Sequence, residues 1–309
     1  MSNNTKKLLS YIGLVFVVFT WGTAPLITLE LYKYYSPTFR VFFVHVILLI
    51  FYIAVSKNHL KEYSKEYLKI GIPTGLFLAL ADISQKIGLM YTTPTKYAFL
   101  ENLSCITVPI IVYILTKKKP GFFTVTACFV CLASTFVING MTFDSGAWGI
   151  GEILCGAAGL FYGFNIAGTG LYAKKLNAPM YLATQTVVVT VISLIVSLIL
   201  HFIKIPNASG IYVPVEKIEF SFNPMLLTIC VLQTIIVSGL CWIIRTNSMK
   251  HVSATAVSVI MPFSAVVTGI LSVITGKDTL SFYLIFGAIL GLCAIFMSSY
   301  DDIKESRTE

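Results

Sequence analysis

Long apolar blocks separated by short polar breaks set the pattern of this chain. Residues 187–200, 225–244 and 280–297 are three such blocks. A bilayer core about 30 Å thick is crossed by roughly 20 apolar residues in a helix, so blocks of this size predict membrane spans. The whole pattern predicts ten spans, at residues 8–29, 37–56, 70–90, 96–116, 122–141, 148–172, 179–203, 225–246, 252–275 and 280–300.

The composition supports a membrane protein. Hydrophobic residues make up 56% of the 309 residues and charged residues only 12%, whereas a soluble protein carries about 25% charged residues. The short cationic start resembles that of a secretory signal, but no small-residue cleavage site follows it and the apolar block runs to Leu29. We therefore interpret this block as a retained first membrane helix.

The distribution of basic residues predicts the orientation in the membrane. With the N-terminus inside, 15 of the 22 lysines and arginines fall on the inner side and 5 on the outer side. Basic loops are retained on the cytoplasmic side, so both termini are expected there, in the inner membrane of a bacterium. The net charge of +8 then reflects topology, and we expect no nucleic-acid partner.

Cysteines and histidines do not form a metal site in this sequence. All seven cysteines lie in apolar blocks, and the single C-x-x-C of Cys128 and Cys131 has no histidine nearby. His59, His201 and His251 lie at span ends and in loops without ligand spacing. We expect no metal and no cofactor, and interpret the cysteines as small packing residues.

Two G-x-x-x-G motifs favour close helix packing. They are Gly159 with Gly163 and Gly287 with Gly291. In lipid, small residues let helix backbones approach each other closely. We interpret both motifs as packing signals and not as binding sites.

A weak internal repeat relates the two halves of the chain. Trp21-Gly22, Leu31-Tyr32 and Pro37 return as Tyr162-Gly163, Leu171-Tyr172 and Pro179, at offsets of 141, 140 and 142; Pro109 and Pro262 follow at 153. Five spans in each half place the copies in opposite orientations, as in transporters that work by alternating access. We predict an all-α polytopic membrane protein of two inverted five-helix repeats, residues 1–145 and 146–309, around a central cavity.

Ionisable residues within the third span are the strongest candidates for function. Gly75, Ala79, Asp82 and Lys86 share one helix face, with Gln85 beside them. Small residues below and polar residues above are typical of a face turned to the protein interior. Because ionisable groups at membrane depth are costly, they are functional candidates by default.

The neighbouring span carries a carboxylate at a matching depth. At about 1.5 Å per residue, Asp82 lies about 18 Å and Lys86 about 24 Å above the inner end, and Glu101 lies near 22 Å. Lys86 can then pair with Asp82, Glu101 or both, leaving one negative charge for a proton or a cationic substrate group. Alternatively, the cluster only locks spans 3 and 4 together.

Other polar residues at membrane depth have less specific interpretations. Arg40 and Arg245 lie near span ends, where they can snorkel, and we interpret both as structural. Glu152 is expected at the interface, and His45 as a packed, satisfied histidine. Four uncharged polar residues either line the cavity or bond between helices: Asn102, Asn165, Gln185 and Gln233.

Trp21 and Tyr162 occupy equivalent positions in the two repeats and are candidate aromatic walls of the cavity. The candidate substrate-binding residues are therefore Trp21, Asp82, Gln85, Lys86, Glu101, Asn102, Tyr162, Asn165 and Gln233.

Several stretches resemble the drug/metabolite transporter superfamily, in its EamA-type branch. They are residues 19–23 (FTWGT), Ser36-Pro37 with Arg40, residues 92–100 (TTPTKYAFL) leading to Val108-Pro109, and residues 252–256 (VSATA). The resemblance covers nearly the whole chain, and it implies ten helices, a central cavity and a small organic solute moved by uniport, exchange or proton coupling. Many relatives carry Gly-Glu after spans 4 and 9, where this chain has residues 117–119 (KKK) and 276–278 (GKD), so no role of that glutamate carries over.

These observations favour a transporter over other membrane proteins. No nucleophile motif or metal-binding His/Glu motif of an intramembrane enzyme is present, and no soluble domain suggests a receptor. We expect a monomer that exports an amino acid or related metabolite, with protons as a candidate coupling ion. The alternative is a multidrug exporter of organic cations, for which aromatic side chains would supply cation–π contacts.

The predicted topology can be tested by labelling single cysteines on a cysteine-free background. An impermeant maleimide added outside should label position 210, in the loop 204–224, and leave position 62 unmodified. Labelling after permeabilisation is the control for position 62. Label at position 62 with protection at position 210 would overturn both the orientation and the inverted repeat.

Overall fold

Helices occupy the predicted spans in the computed structural model, which describes residues 3–31, 34–92, 100–138, 149–206, 212–276 and 280–308. The first five are α1 (Asn3–Leu31), α2 (Pro37–Ser56), α3 (Lys65–Met90), α4 (Ser104–Thr116) and α5 (Phe122–Ile138). The others are α6 (Ile150–Tyr172), α7 (Ala178–Phe202), α8 (Pro224–Ser248), α9 (residues 254–274) and α10 (Phe282–Thr308). The chain is thus an all-helical polytopic membrane protein, with 3-10 turns at Lys57–Glu62 and Ala173–Lys175.

Within the described ranges, eight helices are long and apolar enough to cross a membrane. The remaining two, α4 and α5, are shorter apolar helices, and each borders a part of the chain outside those ranges. The start predicted for span 4 and the end predicted for span 5 fall there. So do most of the 92–100 stretch and the positions Lys277 and Asp278.

Helices α8 and α9 are interrupted midway. The middle of α8, Thr234–Leu240, is π-helical. Helix α9 consists of Ala254–Ile260, a 3-10 turn Met261–Phe263 and Ser264–Ile274, because Pro262 cannot donate a backbone hydrogen bond. Such interruptions free backbone carbonyls at membrane depth and are common near functional sites.

Helix contacts run mainly between the first and second halves of the chain. Helix α2 packs against α7, α5 against α10, and α4 against α9. Helix α3 packs against α6 and α7, and α1 packs against α8 and α9. Neither half therefore forms a separate globule, and the polar faces of both halves turn toward one centre.

Glycines allow the closest of these approaches. A Cβ at Gly159 would lie 2.4 Å from the carbonyl oxygen of Leu100, and one at Gly163 would lie 2.6 Å from Cγ2 of Thr107. A Cβ at Gly287 would lie 3.0 Å from the carbonyl oxygen of Ser134 in α5. The packing role predicted for both G-x-x-x-G motifs is confirmed.

The loop before α8 is fastened to the start of α2. Its strands β1 (Lys204–Pro206) and β2 (Tyr212–Pro214) are antiparallel. Oε1 of Glu216 accepts the backbone N–H of Thr38 at 2.8 Å, which places a carboxylate at the positive end of α2. Burial raises the pKa of Glu216, and its bonds to Thr38 act in the opposite direction.

Asp302 in α10 ties three elements together at the opposite end of the bundle. Its carboxylate pairs with Nζ of Lys7 at 2.6 Å and accepts from the hydroxyl of Tyr11 at 3.0 Å. The other oxygen accepts the backbone N–H of Ser253 at 2.9 Å, which caps α9. The beginnings of α1 and α9 are therefore held against the last turns of α10.

Two glycines of α6 provide a matched test of the helix approach. In Gly156→Ala the new Cβ meets its nearest atom at 4.0 Å, whereas in Gly159→Ala it meets a backbone carbonyl at 2.4 Å. Alanine is favoured over glycine in a helix by about 1 kcal/mol, so Gly156→Ala should keep or raise the melting temperature. Gly159→Ala should lower it, because overpacking costs about 1–3 kcal/mol. Equal melting temperatures in a thermal-unfolding assay would contradict this packing.

Candidate functional site

A cavity of about 580 Å³ lies at the centre of the bundle and is lined by helices of both halves. Eight of the nine predicted site residues line it: Trp21, Asp82, Gln85, Lys86, Glu101, Asn102, Tyr162 and Gln233. Asn165 is fully buried behind the wall, where its amide donates to the carbonyl oxygen of Thr74 at 3.0 Å. Gln185, predicted as a polar residue of span 7, also lines the cavity.

Asp82 has close side-chain neighbours on two other helices. The hydroxyl of Tyr162, from α6, donates a short hydrogen bond to Oδ1 of Asp82. Nε2 of His45, from α2, lies 3.5 Å from Oδ2. Asp82 therefore joins α2, α3 and α6 at membrane depth.

The contact between His45 and Asp82 needs a proton to be attractive. Nδ1 of His45 lies 2.8 Å from the carbonyl oxygen of Val41, and a carbonyl oxygen only accepts, so Nδ1 carries the hydrogen of a neutral ring. Nε2 then presents a lone pair to the Asp82 carboxylate. A proton on either group would make this contact attractive. His45 was predicted as a packed histidine that is fully satisfied, and the contact with Asp82 was not anticipated.

Lys86 bonds to an amide in place of the expected carboxylate. Its Nζ donates to Oε1 of Gln85 at 2.7 Å, and no ion pair among the described residues includes Lys86. Gln85 Oε1 also lies 3.1 Å from the Tyr162 hydroxyl. Lys86 is thus linked to Asp82 through Gln85 and Tyr162. The sequence correctly identified the members, but the direct pairing of Lys86 with Asp82 or Glu101 is wrong, because closer partners occupy both Lys86 and Asp82.

Glu101 and Asn102 come just before α4 and are also residues of the cavity. Both line it, and the amide of Asn102 donates to Oγ1 of Thr135 in α5 at 3.3 Å. Glu152 instead accepts the backbone N–H of Gly149 at 2.9 Å at the start of α6, as expected for a carboxylate at a helix end.

The arginines require a correction. From the sequence, Arg40 and Arg245 were interpreted as structural residues near span ends that can snorkel, but both are buried and line the cavity, with Arg245 only 2% exposed. Nη2 of Arg40 donates to Oε1 of Gln233 at 2.8 Å. Arg245 donates to Oδ1 of Asn165 at 3.3 Å. The distance of an arginine from the end of its span does not show whether the side chain points to the surface or into the cavity, because that depends on the helix face it occupies.

Two aromatic residues, one from each half of the chain, make similar contacts. Nε1 of Trp21 in α1 donates to the carbonyl oxygen of Val237 in α8 at 2.8 Å, within the π-helical segment. Tyr162 in α6 donates to Asp82 in α3. Each aromatic side chain therefore crosses to the third helix of the other half.

The described charges of the cavity wall include both signs. Three are cationic, Arg40, Lys86 and Arg245, and two are carboxylates, Asp82 and Glu101. From the sequence alone we counted two carboxylates against one ammonium. The structure reverses this balance, because it adds two arginines to the wall.

Double-mutant cycles on melting temperature test this network. Asp82→Asn and Tyr162→Phe should be coupled by roughly 1–3 kcal/mol, because the two side chains share a hydrogen bond to a charge. Lys86→Met and Glu101→Gln should be additive, because they do not touch. Strong coupling in the second pair and additivity in the first would restore the arrangement expected from the sequence.

Comparison with known proteins is consistent with this architecture. An uncharacterized transporter of Archaeoglobus fulgidus is 22% identical over 304 residues, which cover 96% of this chain and 88% of that protein. A solved crystal structure aligns with a TM-score of 0.74 over 98% of this chain and 99% of that chain; at 14% identity this similarity shows the fold alone. The model of the EamA-like transporter family matches residues 8–140 and again 149–300. The chain therefore belongs to the EamA-like transporter family and is a membrane transporter.

Proposed function

We propose that the chain moves a small zwitterionic metabolite, an amino acid or a close relative, by alternating access. The observation that carries the proposal is the central cavity with both signs of charge on its wall. Its volume of about 580 Å³ lies within the roughly 300–1,000 Å³ of small-molecule sites. A zwitterion could place its ammonium near Asp82 or Glu101 and its carboxylate near a cationic side chain.

The organisation into two repeats is supported by the pairing of helices. The first helix of one half corresponds to the first helix of the other, and so on, so that α1 pairs with α6 and α5 with α10. When corresponding helices are exchanged, the α3–α6 contact becomes α8–α1 and the α4–α6 contact becomes α9–α1. The contacts α2–α7 and α5–α10 map onto themselves. The family model also matches each half separately. Repeats of this kind would let the halves exchange conformations around a fixed site.

The position of the cavity supports an outward-facing conformation. The residues that line it lie between Trp21 and Thr28 on α1 and between Leu78 and Leu89 on α3. The cavity therefore extends toward the C-terminal ends of α1 and α3. The opposite end is tied by Asp302. With cytoplasmic termini, opening inward would require the contacts of Asp302 with Lys7 and Ser253 to separate.

Proton coupling is proposed to use His45 and Asp82. Their contact becomes attractive when one proton is bound, and both line the cavity. A substrate ammonium near Asp82 would compete with that proton. Such competition is a direct physical route from a proton gradient to substrate movement.

Organic-cation export is less well supported by the wall. Among the described side chains of the wall, three cations stand against two carboxylates, which favours a ligand that carries an anionic group over a lipophilic cation. Aromatic side chains such as Trp21 and Trp242 are present, but a guanidinium already faces them.

Counterflow in proteoliposomes tests the proposed substrate class. Vesicles loaded with unlabelled amino acids should accumulate the labelled form, and protein-free vesicles should not. Asp82→Asn should reduce the rate at least about tenfold, since a buried charged hydrogen bond contributes about 1.5–3 kcal/mol. The lipid-facing Phe296→Leu, with a side chain that is 72% exposed, is the control expected at wild-type rate. Accumulation of ethidium but of no amino acid would replace this proposal with the organic-cation alternative.

A further inference from the structure

Arg245 is a buried cation with incomplete partners. It is only 2% exposed, yet it lines the central cavity. Nη2 donates to Oδ1 of Asn165 at 3.3 Å, and Nε has no hydrogen-bond partner among the described residues. No ion pair among those residues includes Arg245. A charge in this position is costly, and proteins retain such charges where a ligand supplies the missing partner.

Among the described residues, Asp82 is the carboxylate that acts on Arg245, and it is already engaged. Asp82 interacts electrostatically with Arg245, but its oxygens face Tyr162 and His45. The phenols of Tyr52, Tyr162 and Tyr181 also act on Arg245 electrostatically, but a phenol is neutral when protonated. Among the described residues, the guanidinium therefore has no carboxylate of its own.

The surroundings hold the guanidinium in one orientation. Its carbon lies 4.0 Å from the ring centre of Trp242 and 5.7 Å from that of Trp21. Asn165 is fixed from behind by its bond to the carbonyl oxygen of Thr74, so its oxygen is directed at Arg245. Cation–π stacking covers a face of the guanidinium and leaves the N–H groups at its edges as donors.

We propose that Arg245, Trp21 and Trp242 form an anion subsite that binds the carboxylate of the substrate. This rests on the proposed function and names the recognition element of the same cavity. A guanidinium presents five N–H donors in a planar fork that matches a carboxylate in two parallel hydrogen bonds. The described bonds use only one of these donors. The indole rings add an apolar wall for the part of the substrate next to its carboxylate.

Tryptophan fluorescence of the full-length protein reports on this subsite directly. The chain has three tryptophans, and replacing Trp148 with phenylalanine leaves Trp21 and Trp242, the two rings that contact Arg245. Butyrate and butyramide are matched probes that differ in the carboxylate. At constant ionic strength, butyrate should give a saturable change in emission and butyramide should give none. L-leucine should act like butyrate, and leucinamide, which keeps the ammonium, should bind at least about tenfold more weakly.

Substitutions at Arg245 separate binding from structure. Arg245→Met should weaken butyrate and leucine at least about tenfold, and Arg245→Lys should weaken them less, because a lysine keeps the charge but loses the fork. Lys61→Met, an exposed cation outside the cavity, is the control and should bind as the parent does. The ligand-free melting temperature of Arg245→Met should stay near that of the parent, since removing a cation without a carboxylate partner relieves its desolvation.

The outcomes distinguish this proposal from the proposed function. Amino-acid counterflow together with a butyrate response unchanged in Arg245→Met would overturn the subsite and leave the substrate class standing. A butyrate response that needs Arg245, without amino-acid counterflow, would support the subsite and overturn the substrate class. No saturable response to butyrate or leucine in the parent protein would overturn the subsite. If Arg245→Met does not fold, undiminished binding in Arg245→Lys overturns the two-bond geometry.

Discussion

A charged group inside a membrane must find its partners within the protein, and this constraint organises the structure. Lipid offers no hydrogen bonds, so a carboxylate or guanidinium facing it would lose its solvation without compensation. Asp82 is compensated by the hydrogen bond from the Tyr162 hydroxyl, and Arg40 by its hydrogen bond to Gln233. Each of these bonds joins different helices, so satisfying the charges also decides which helix faces meet.

Close packing supplies the complementary constraint. Between helices in lipid, attraction comes from van der Waals contact, and glycines make that contact close. Gly159 and Gly163 bring α6 onto α4, and Gly287 brings α10 onto α5. Where polar and aromatic side chains replace the small ones, the helices stay apart, and the cavity occupies that space. The same balance of small and large residues therefore both holds the bundle together and leaves room inside it.

The location of the polar network also matters for movement. Asp82 and Lys86 belong to the first half, whereas Tyr162 and Arg245 belong to the second. A molecule that binds among them would contact both halves and would shift their relative arrangement by its difference in affinity for the two arrangements. The interrupted helices α8 and α9 lie in the same wall, and their freed carbonyls offer backbone that can change its partner. In the observed arrangement, Trp21 occupies one of these carbonyls.

The sequence by itself determined the membrane character, the helical segments and the place of eight of the nine candidate residues in the cavity wall. Span length and hydropathy suffice for the first two because the bilayer has a fixed thickness and forces the backbone into helices. The wall was foreseeable because polar residues at membrane depth are rare and turn inward. The tertiary structure decided which polar side chains pair with each other. Depth along a helix gives no information on the rotation of the helix, so the sequence paired Lys86 with carboxylates and placed Arg245 near a span end, where it can snorkel. Helix packing instead places Lys86 beside Gln85 and Arg245 over the ring of Trp242.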